Sequence, residues 1–396
     1  MPWKPPVPSR PDGGRGKGGG PNLLIVGLSA RMLAAASVRA GWRPLAIDLF
    51  ADADTRDLAE CRQVDMAVDA AGCGLCFDRR SLLAAARMPE CRSLPLIVGT
   101  GFEDDPDLLA ELASGRMLLG NDPETVRQVK DPAWLAEALA RFGIPHPPIA
   151  HDPPEQGHWL LKRAGGSGGT HIRPVPPGRA DEPGGYFQQR RAGEPVSLLF
   201  LADGARCLPI GFSAQWCDPA PGMPFRYGGA VGPISLPDSL AAQLAGWAGR
   251  IVACLGLRGL NTADFLVDGD DAWLLEINPR PGATLDLFDR AIMPPLLALH
   301  AVACAGNLPD GLPSLPDARA VGILYAERTM TVPPGLDWPG WVADRPNPGL
   351  IEAGSPVCTV TADEPSPAAA RTSLFRRLDG LRARLAASRI FETEIS

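Results

Sequence analysis

From Asn22 onward the hydrophobic pattern alternates between short apolar runs and helical spacing. Leu23-Leu24-Ile25-Val26 reads as a buried parallel strand. Gly27-Leu28-Ser29-Ala30-Arg31 then turns into a helix that Gly41 stops. Pro44–Leu49 is the next strand, ending near Asp48, and the strand–Gly–helix turn is of the kind that can hold an anion or a polar ligand. Val64–Val68, Arg80–Arg87, Leu94–Val98, Asp107–Ala113 and Met117–Leu119 continue the strand and helix alternation of a small doubly wound unit. Residues 121–142 are mostly helical, and Gly143-Ile-Pro-His-Pro-Pro ends them. Strands follow over Trp159–Lys162, within Tyr186–Leu201 and over Leu208–Trp216, and an amphipathic helix runs over Asp238–Leu255. Past Pro313, strands at Ala320–Ala326 and Pro356–Thr361 and a helix over Pro367–Ala387 suggest a small α+β cap.

The clearest alternation lies between Gly259 and Gly282, GLNTADFLVDGDDAWLLEINPRPG. It reads as a hairpin turning through Gly269-Asp270-Asp271. Pairing Val267 with Trp273 sets Phe265 opposite Leu275 and Ala263 opposite Ile277, an apolar face throughout. On the other face Asp264 meets Glu276 and Thr262 meets Asn278; Glu276 and Asn278 are two apart and point the same way. Two carboxylates across a ladder repel, by about 3 kcal/mol at roughly 5 Å and an effective dielectric of about 20. A cation removes that repulsion, and two carboxylates with an amide oxygen suit Mg²⁺. Solvated acids on a surface hairpin are the other reading.

A second polar stretch follows the strand ending at Lys162: Arg163-Ala-Gly-Gly-Ser-Gly-Gly-Thr170. Its glycines allow backbone N–H groups to close on a ligand, with Lys162 as a point charge at the edge. A phosphate flap and a plain hairpin linker both fit; the acid hairpin downstream favours the flap. Tyr227-Gly228-Gly229-Ala230 is either a turn or a substrate loop. Asp52, Asp54 and Asp57 read as solvated loop acids.

Composition narrows the classes. The 396 residues allow two or three domains. A net charge of −7 argues against broad nucleic-acid binding. No apolar run is long enough for a bilayer, and the N-terminus carries no signal-peptide apolar region. Nine scattered cysteines fit a reduced, cytoplasmic protein. Cys73-x-x-Cys76 has no partner pair at zinc spacing, and the histidines form no ligand pattern. Residues 1–21 are Pro- and Gly-rich and read as a disordered tail; DGGRGKGGG within them is not a Walker motif.

Lys162 with the glycine flap, Gln188-Gln189 to Glu194, and Asp264…Glu276-x-Asn278 together resemble the ATP-grasp superfamily. Gly27-Leu-Ser-Ala-Arg31, Asp48-Leu-Phe-Ala-Asp-Ala-Asp-Thr55 and Gly101-Phe-Glu-Asp104 resemble its predicted ATP-dependent carboligases, related to biotin carboxylase and to tyramine–L-glutamate ligase of methanofuran biosynthesis. The resemblance implies an α/β chain, α+β in its catalytic part: a pre-ATP-grasp domain over 22–120, an ATP-grasp domain over 121–315 and a cap over 316–396. It implies that Lys162 contacts ATP phosphates under Gly165, Gly166, Ser167, Gly168 and Gly169. Gln189, Arg190 and Arg191 fall where the hinge meets adenine, and Glu194 where an acid takes the ribose. Asp264, Glu276 and Asn278 would hold one or two Mg²⁺, and Arg280 a substrate carboxylate or its acyl phosphate.

Two departures bear on this. A second ATP-binding lysine is usual just before the helix leading to the Gly-x-Pro break; Pro132 stands there, with Lys130 two residues earlier as candidate replacement. Biotin carboxylases continue past Asn-x-Arg with Gln-Val-Glu, whereas Arg280 is followed by Pro281-Gly282-Ala283-Thr284, as in peptide-type ligases. The implied activity is an ATP- and Mg²⁺-dependent carboxylate–amine ligase acting through an acyl phosphate, with glutamate and a tyramine- or tyrosine-like amine as first substrates. A carboxylase or other acyl-phosphate ligase, and a nucleotide-binding protein without turnover, are the alternatives. The partners are then small molecules, with no nucleic acid or membrane.

Overall fold

The computed structural model describes residues 20–68, 74–152, 154–175 and 184–387. Most of the Gly/Pro-rich opening and Cys73 of the Cys73-x-x-Cys76 pair lie outside them. No helix among the described residues is long and apolar enough to cross a membrane.

The first unit is a four-stranded parallel sheet in the order Glu60–Gln63, Pro44–Asp48, Leu23–Gly27, Leu96–Val98. Its central strands are buried on both faces, which explains their unbroken apolar runs. Leu23, Ile25 and Ala46 face the helix Arg31–Arg39, while Leu24, Val26 and Ile47 face Arg79–Ala86 and Pro106–Ala113. The strand expected at 117–119 reduces to one parallel bridge between Leu118 and Leu96.

Two expectations for this unit are corrected. The turn into the helix Arg31–Arg39 already holds an anion of its own: Asp48, fully buried, accepts from the N–H groups of Ala30, Phe50 and Ala51 at 2.6, 2.5 and 2.7 Å. Nor are Asp52 and Asp54 solvated loop acids; Asp57 is solvated, with 71% of its side chain exposed, but it lies on a helix. Asp52 caps a helix, Ala53–Leu58, by accepting from Thr55 N at 2.9 Å. Asp54 and Asp57 both pair with Arg345 from the far end of the chain.

The helical stretch after Asn121 is two helices, Pro123–Lys130 and Pro132–Arg141. Pro132 cannot continue a helix but suits a first helical position. Asp131 before it caps the second helix, accepting from Ala133 N and Trp134 N. A small antiparallel sheet follows, ordered Ile149–Ala150, Gly185–Gln189, Trp159–Arg163, Arg173–Val175.

The rest is built on an eight-stranded antiparallel sheet. Its order is Asp271–Asn278, Arg258–Asp268, Glu194–Asp203, Cys207–Cys217, Tyr227–Ile234, Ala318–Tyr325, Pro356–Glu364, Val342–Ala343. Helix Asp238–Leu255 packs Leu244, Trp247 and Ile251 on the face carrying Leu198, Phe200, Ala263 and Phe265. Helix Leu296–Cys304 covers Leu199, Leu201 and Leu260 on the other face, and this core continues into helix Arg31–Arg39 of the first unit. The C-terminal strands therefore extend the central sheet rather than forming a detached cap. Helix Pro367–Ala387 closes them with Leu374, Leu378 and Leu381.

Candidate active site

The hairpin Arg258–Asp268 and Asp271–Asn278 has the expected pairing at its acidic end: Thr262 opposite Asn278, Ala263 opposite Ile277, Asp264 opposite Glu276. Toward the turn the register slips. A bulge leaves Leu275 unpaired, so Phe265 meets Leu274 and Val267 meets Ala272. Leu274 and Ala272 take the inner positions expected of Leu275 and Trp273. The turn is the two residues Gly269-Asp270, with Asp268 opposite Asp271.

The acid pair sits among cations and amides. Asn278 Nδ2 bridges the carboxylates, 2.9 Å from Asp264 Oδ2 and 3.3 Å from Glu276 Oε1. Gln215 Nε2 donates to Asp264 at 3.3 Å. Lys130 Nζ lies 2.7 Å from Asn278 Oδ1 and 3.5 Å from Glu276 Oε2, and only 7% of its side chain is exposed. Lys162 Nζ donates to Gln188 at 3.0 Å and is buried. Burial pushes the Lys162 ammonium below its ordinary value, while Glu276 and Asp264 pull it back. The two acids are driven apart. Burial and then Glu276 raise Asp264; burial also raises Glu276, but Lys130, Lys162 and His171 outweigh it and bring that carboxyl down. Glu276 still keeps 39% of its side chain open to solvent, so a ligand can reach the pair.

The donor set fits Mg²⁺. Two facing carboxylates share one amide donor, and with a cation between them a half turn of the Asn278 amide would turn Oδ1 to the metal in place of Nδ2, giving up the Lys130 bond. Among the described residues no three His, Cys, Asp or Glu gather in one place, here or elsewhere, so this site rests on two carboxylates and one amide.

The glycine flap is folded down at the edge of the site. Gly165 (φ +71°) lies so close to the first unit that a Cβ there would come within 2.5 Å of Asp104 Cα and Glu103 O. Gly169 (φ +72°) faces Phe225 O at 2.0 Å from the same imagined atom. Gly168 O accepts from Tyr227 N at 2.9 Å. His171 closes over Gly166; burial holds its imidazole down, to about 4. Tyr227-Gly228-Gly229-Ala230 is thus neither a turn nor a loop but the start of a strand on which the flap rests.

Arg280 is anchored across the cleft. Its Nε donates to Glu103 Oε1 at 2.7 Å, with 11% and 4% of the two side chains exposed. Burial raises the Glu103 carboxyl, but Arg280 and Lys130 more than reverse this and hold it below its ordinary value. Glu103 Oε2 accepts from Gly101 N and Phe102 N. Among the described residues nothing accepts from Nη1 or Nη2 of Arg280.

The hinge residues are arranged differently from expectation. Register with Lys162 turns Gln188 into the cleft, where it meets that lysine; Gln189, one residue on, lies beside Gly157 instead. Arg190 and Arg191 are exposed; Arg190 N donates to His158 O, and the Arg191 guanidinium lies 5.9 Å from the Trp273 ring centre. Glu194 is exposed and pairs with Val267, three positions along from Asp264, so alternation turns it to the opposite face. Arg31 is a buried clamp on Asp286 (3.0 and 2.6 Å) and Asp344 (3.0 and 3.1 Å), and Ser29 also reaches Asp344. Sequence reasoning missed Gln215 and the contacts of Glu103 and Gln188 within the motifs quoted above, since distant strands and loops bring them together; Lys130, the candidate replacement for the second lysine, does reach the acid pair.

Residues 129–284 match the family model for the ATP-grasp domain. The chain contains an ATP-grasp domain. It is 27% identical over 259 residues to the carbamoyl phosphate synthase large chain of Deinococcus deserti, covering 58% of this chain and 25% of that one. A shorter stretch of 53 residues is 45% identical to a D-alanine–D-alanine ligase of Bordetella petrii, covering 13% of this chain and 16% of the ligase. In three dimensions the fold matches the biotin carboxylase of Campylobacter jejuni, solved as a β-γ-ATP complex, with a TM-score of 0.64, 14% identity and 87% of each chain covered. The chain spans only about a tenth to a quarter of the length of the curated relatives it matches. Lys130, Lys162, Asp264, Glu276, Asn278 and Arg280 all lie inside the ATP-grasp match; Arg31 and Glu103 lie before it.

Proposed function

We propose that this protein is an ATP- and Mg²⁺-dependent ligase that activates a carboxylate as its acyl phosphate and passes it to an amine. One observation carries the reading: a facing acid pair, two buried lysines and a docked glycine flap converge on one cleft. Asp264, Glu276 and Asn278 would hold Mg²⁺, which when bound screens the phosphate charges and orients the transferring group. Lys162 and Lys130 neutralise phosphate oxygens from two sides. The flap covers the cleft and keeps water from the activated acyl group. Arg280, fixed by Glu103 through Nε, turns its terminal nitrogens to the carboxylate and then to the acyl phosphate. The work is positioning and electrostatics, so no nucleophilic Cys or Ser is required.

The relative named for joining two alanines supports amino-acid substrates. Glutamate with a tyramine- or tyrosine-like amine is the first pair to try, on the family resemblance. A carboxylase is the second reading, favoured by the fold match to biotin carboxylase; Pro281-Gly282-Ala283-Thr284 after Arg280 weighs against it. An ADP-release assay over a panel of amino acids and amines decides. Amine-dependent ADP formation with an amide product supports the ligase. Bicarbonate- and biotin-dependent turnover refutes it, and tight ATP binding without ADP under any condition points to a binding protein.

A further inference from the structure

Tyr227 is held by its backbone on both sides. Its N–H donates to the flap carbonyl of Gly168 at 2.9 Å, and its own carbonyl accepts from the Tyr325 hydroxyl at 2.9 Å. The side-chain hydroxyl is different: it is shut away from solvent and has no hydrogen-bond partner among the described residues. Leaving a buried hydroxyl unpaired costs about 1–3 kcal/mol, and native structures hold few such groups without a reason. The ring packs against the core shared by the first unit and the large sheet. Burial, with Asp264, Tyr325 and Asp286 close by, pushes the phenol far above its ordinary value, so it keeps its proton at any physiological pH. The hydroxyls of Ser213 and Thr284 are also unpartnered, but neither residue is tied to the flap.

We propose that the Tyr227 hydroxyl belongs to the acyl subsite and donates a hydrogen bond to the acyl oxygen during amine attack. This rests on the ligase reading above. In that step the amine lone pair forms a C–N bond with the acyl carbon, and the C=O π pair moves onto oxygen. The pair returns as the C–O bond to phosphate breaks and phosphate leaves; the amine nitrogen loses its proton to phosphate or solvent. Tyr227 keeps its own proton throughout. A neutral donor held in a dry cleft is suited to this, because it needs no reorganisation as charge develops.

Tyr227→Phe tests the assignment, because it removes one oxygen and keeps the ring. Hydroxylamine serves as the amine, with the amino acid that gives most ADP in the panel as carboxylate, and hydroxamate is measured. The expected result is a fall in kcat of about 100-fold, the effect of losing one such donor. KM for ATP stays unchanged and Tm is equal or higher, since an unpaired buried group has been removed. Wild-type kcat in Tyr227→Phe overturns the assignment, as does a loss of activity that tracks a fall in Tm. If the wild type releases no ADP with any carboxylate, the ligase reading fails and this subsite with it; normal wild-type turnover with an indifferent Tyr227→Phe removes the subsite alone.

Discussion

Gly168 and Gly169 make a controlled pair for testing the flap. Both have left-handed backbones, φ +67° and +72°, so alanine at either costs about 1 kcal/mol, on the order of 5-fold in the closing equilibrium. They differ in surroundings. A Cβ at Gly168 meets nothing within 4 Å, whereas one at Gly169 falls 2.0 Å from Phe225 O. That atom is backbone, in the turn just before the strand Tyr227–Ile234, and does not swing aside as a side chain would. Gly169→Ala must therefore lift the flap and break the Tyr227 N to Gly168 O bond, adding roughly 1 kcal/mol or more. The total, about 2–3 kcal/mol, corresponds to roughly 30- to 150-fold. Affinity for a non-hydrolysable ATP analogue, by calorimetry, should fall by that factor in Gly169→Ala and by about 5-fold in Gly168→Ala. Tm should hold in both, since the flap contributes nothing to the main cores. Equal effects of the two substitutions, or none, would refute a flap that closes by seating Gly169 on Phe225.

Three further outcomes follow from the charges. Lys130→Met keeps the buried stem but removes the ammonium from Glu276 and Asn278; KM for ATP should rise at least about 10-fold with Tm preserved, judged against a charge-assisted contact worth roughly 1.5–3 kcal/mol. Arg31→Ala leaves Asp286 and Asp344 without their shared cation and should cost about 3–5 kcal/mol in urea unfolding; a cost under 1 kcal/mol would show the clamp to be idle. His300, fully buried, accepts from Leu260 N at 2.8 Å and contacts Leu119 O at 2.9 Å. Burial lowers its imidazole to about 4. Below about pH 6.5 the unfolded chain binds a proton that the folded one refuses, so stability is full above that value and is lost as pH falls toward 4. The loss approaches about 3 kcal/mol between pH 7.5 and 4.5 in urea titrations, and His300→Gln should lack that component.

Much of this was legible because strand alternation is a short-range rule. Period two alone set Asp264 across from Glu276, and the same rule put Asn278 beside them. It failed at Leu275, where a bulge inserts one residue and no local propensity announces it. It failed again at Gln188 and Gln189: only the register against Lys162 decides which of two adjacent glutamines enters the cleft. Contacts across 146 and 177 residues, Lys130 to Glu276 and Glu103 to Arg280, are set by how the units dock and leave no trace in either stretch. Asp54 misled for the same reason, since Arg345, which pairs with it, lies almost at the other end of the chain.

The central claim is that the facing carboxylates hold magnesium with the nucleotide, and counting bound metal tests it most directly. Mn²⁺ replaces Mg²⁺, a non-hydrolysable ATP analogue is added, and the bound fraction is read from the electron paramagnetic resonance spectrum of free Mn²⁺. Wild type should take up metal tightly, while Glu276→Gln and Asp264→Asn should lose most of that uptake yet stay folded; Tm should be no lower in Asp264→Asn, whose carboxyl is held up by burial and Glu276, and lower in Glu276→Gln, which leaves Lys130 and Lys162 without their carboxylate. Wild-type metal binding in both variants would contradict the account.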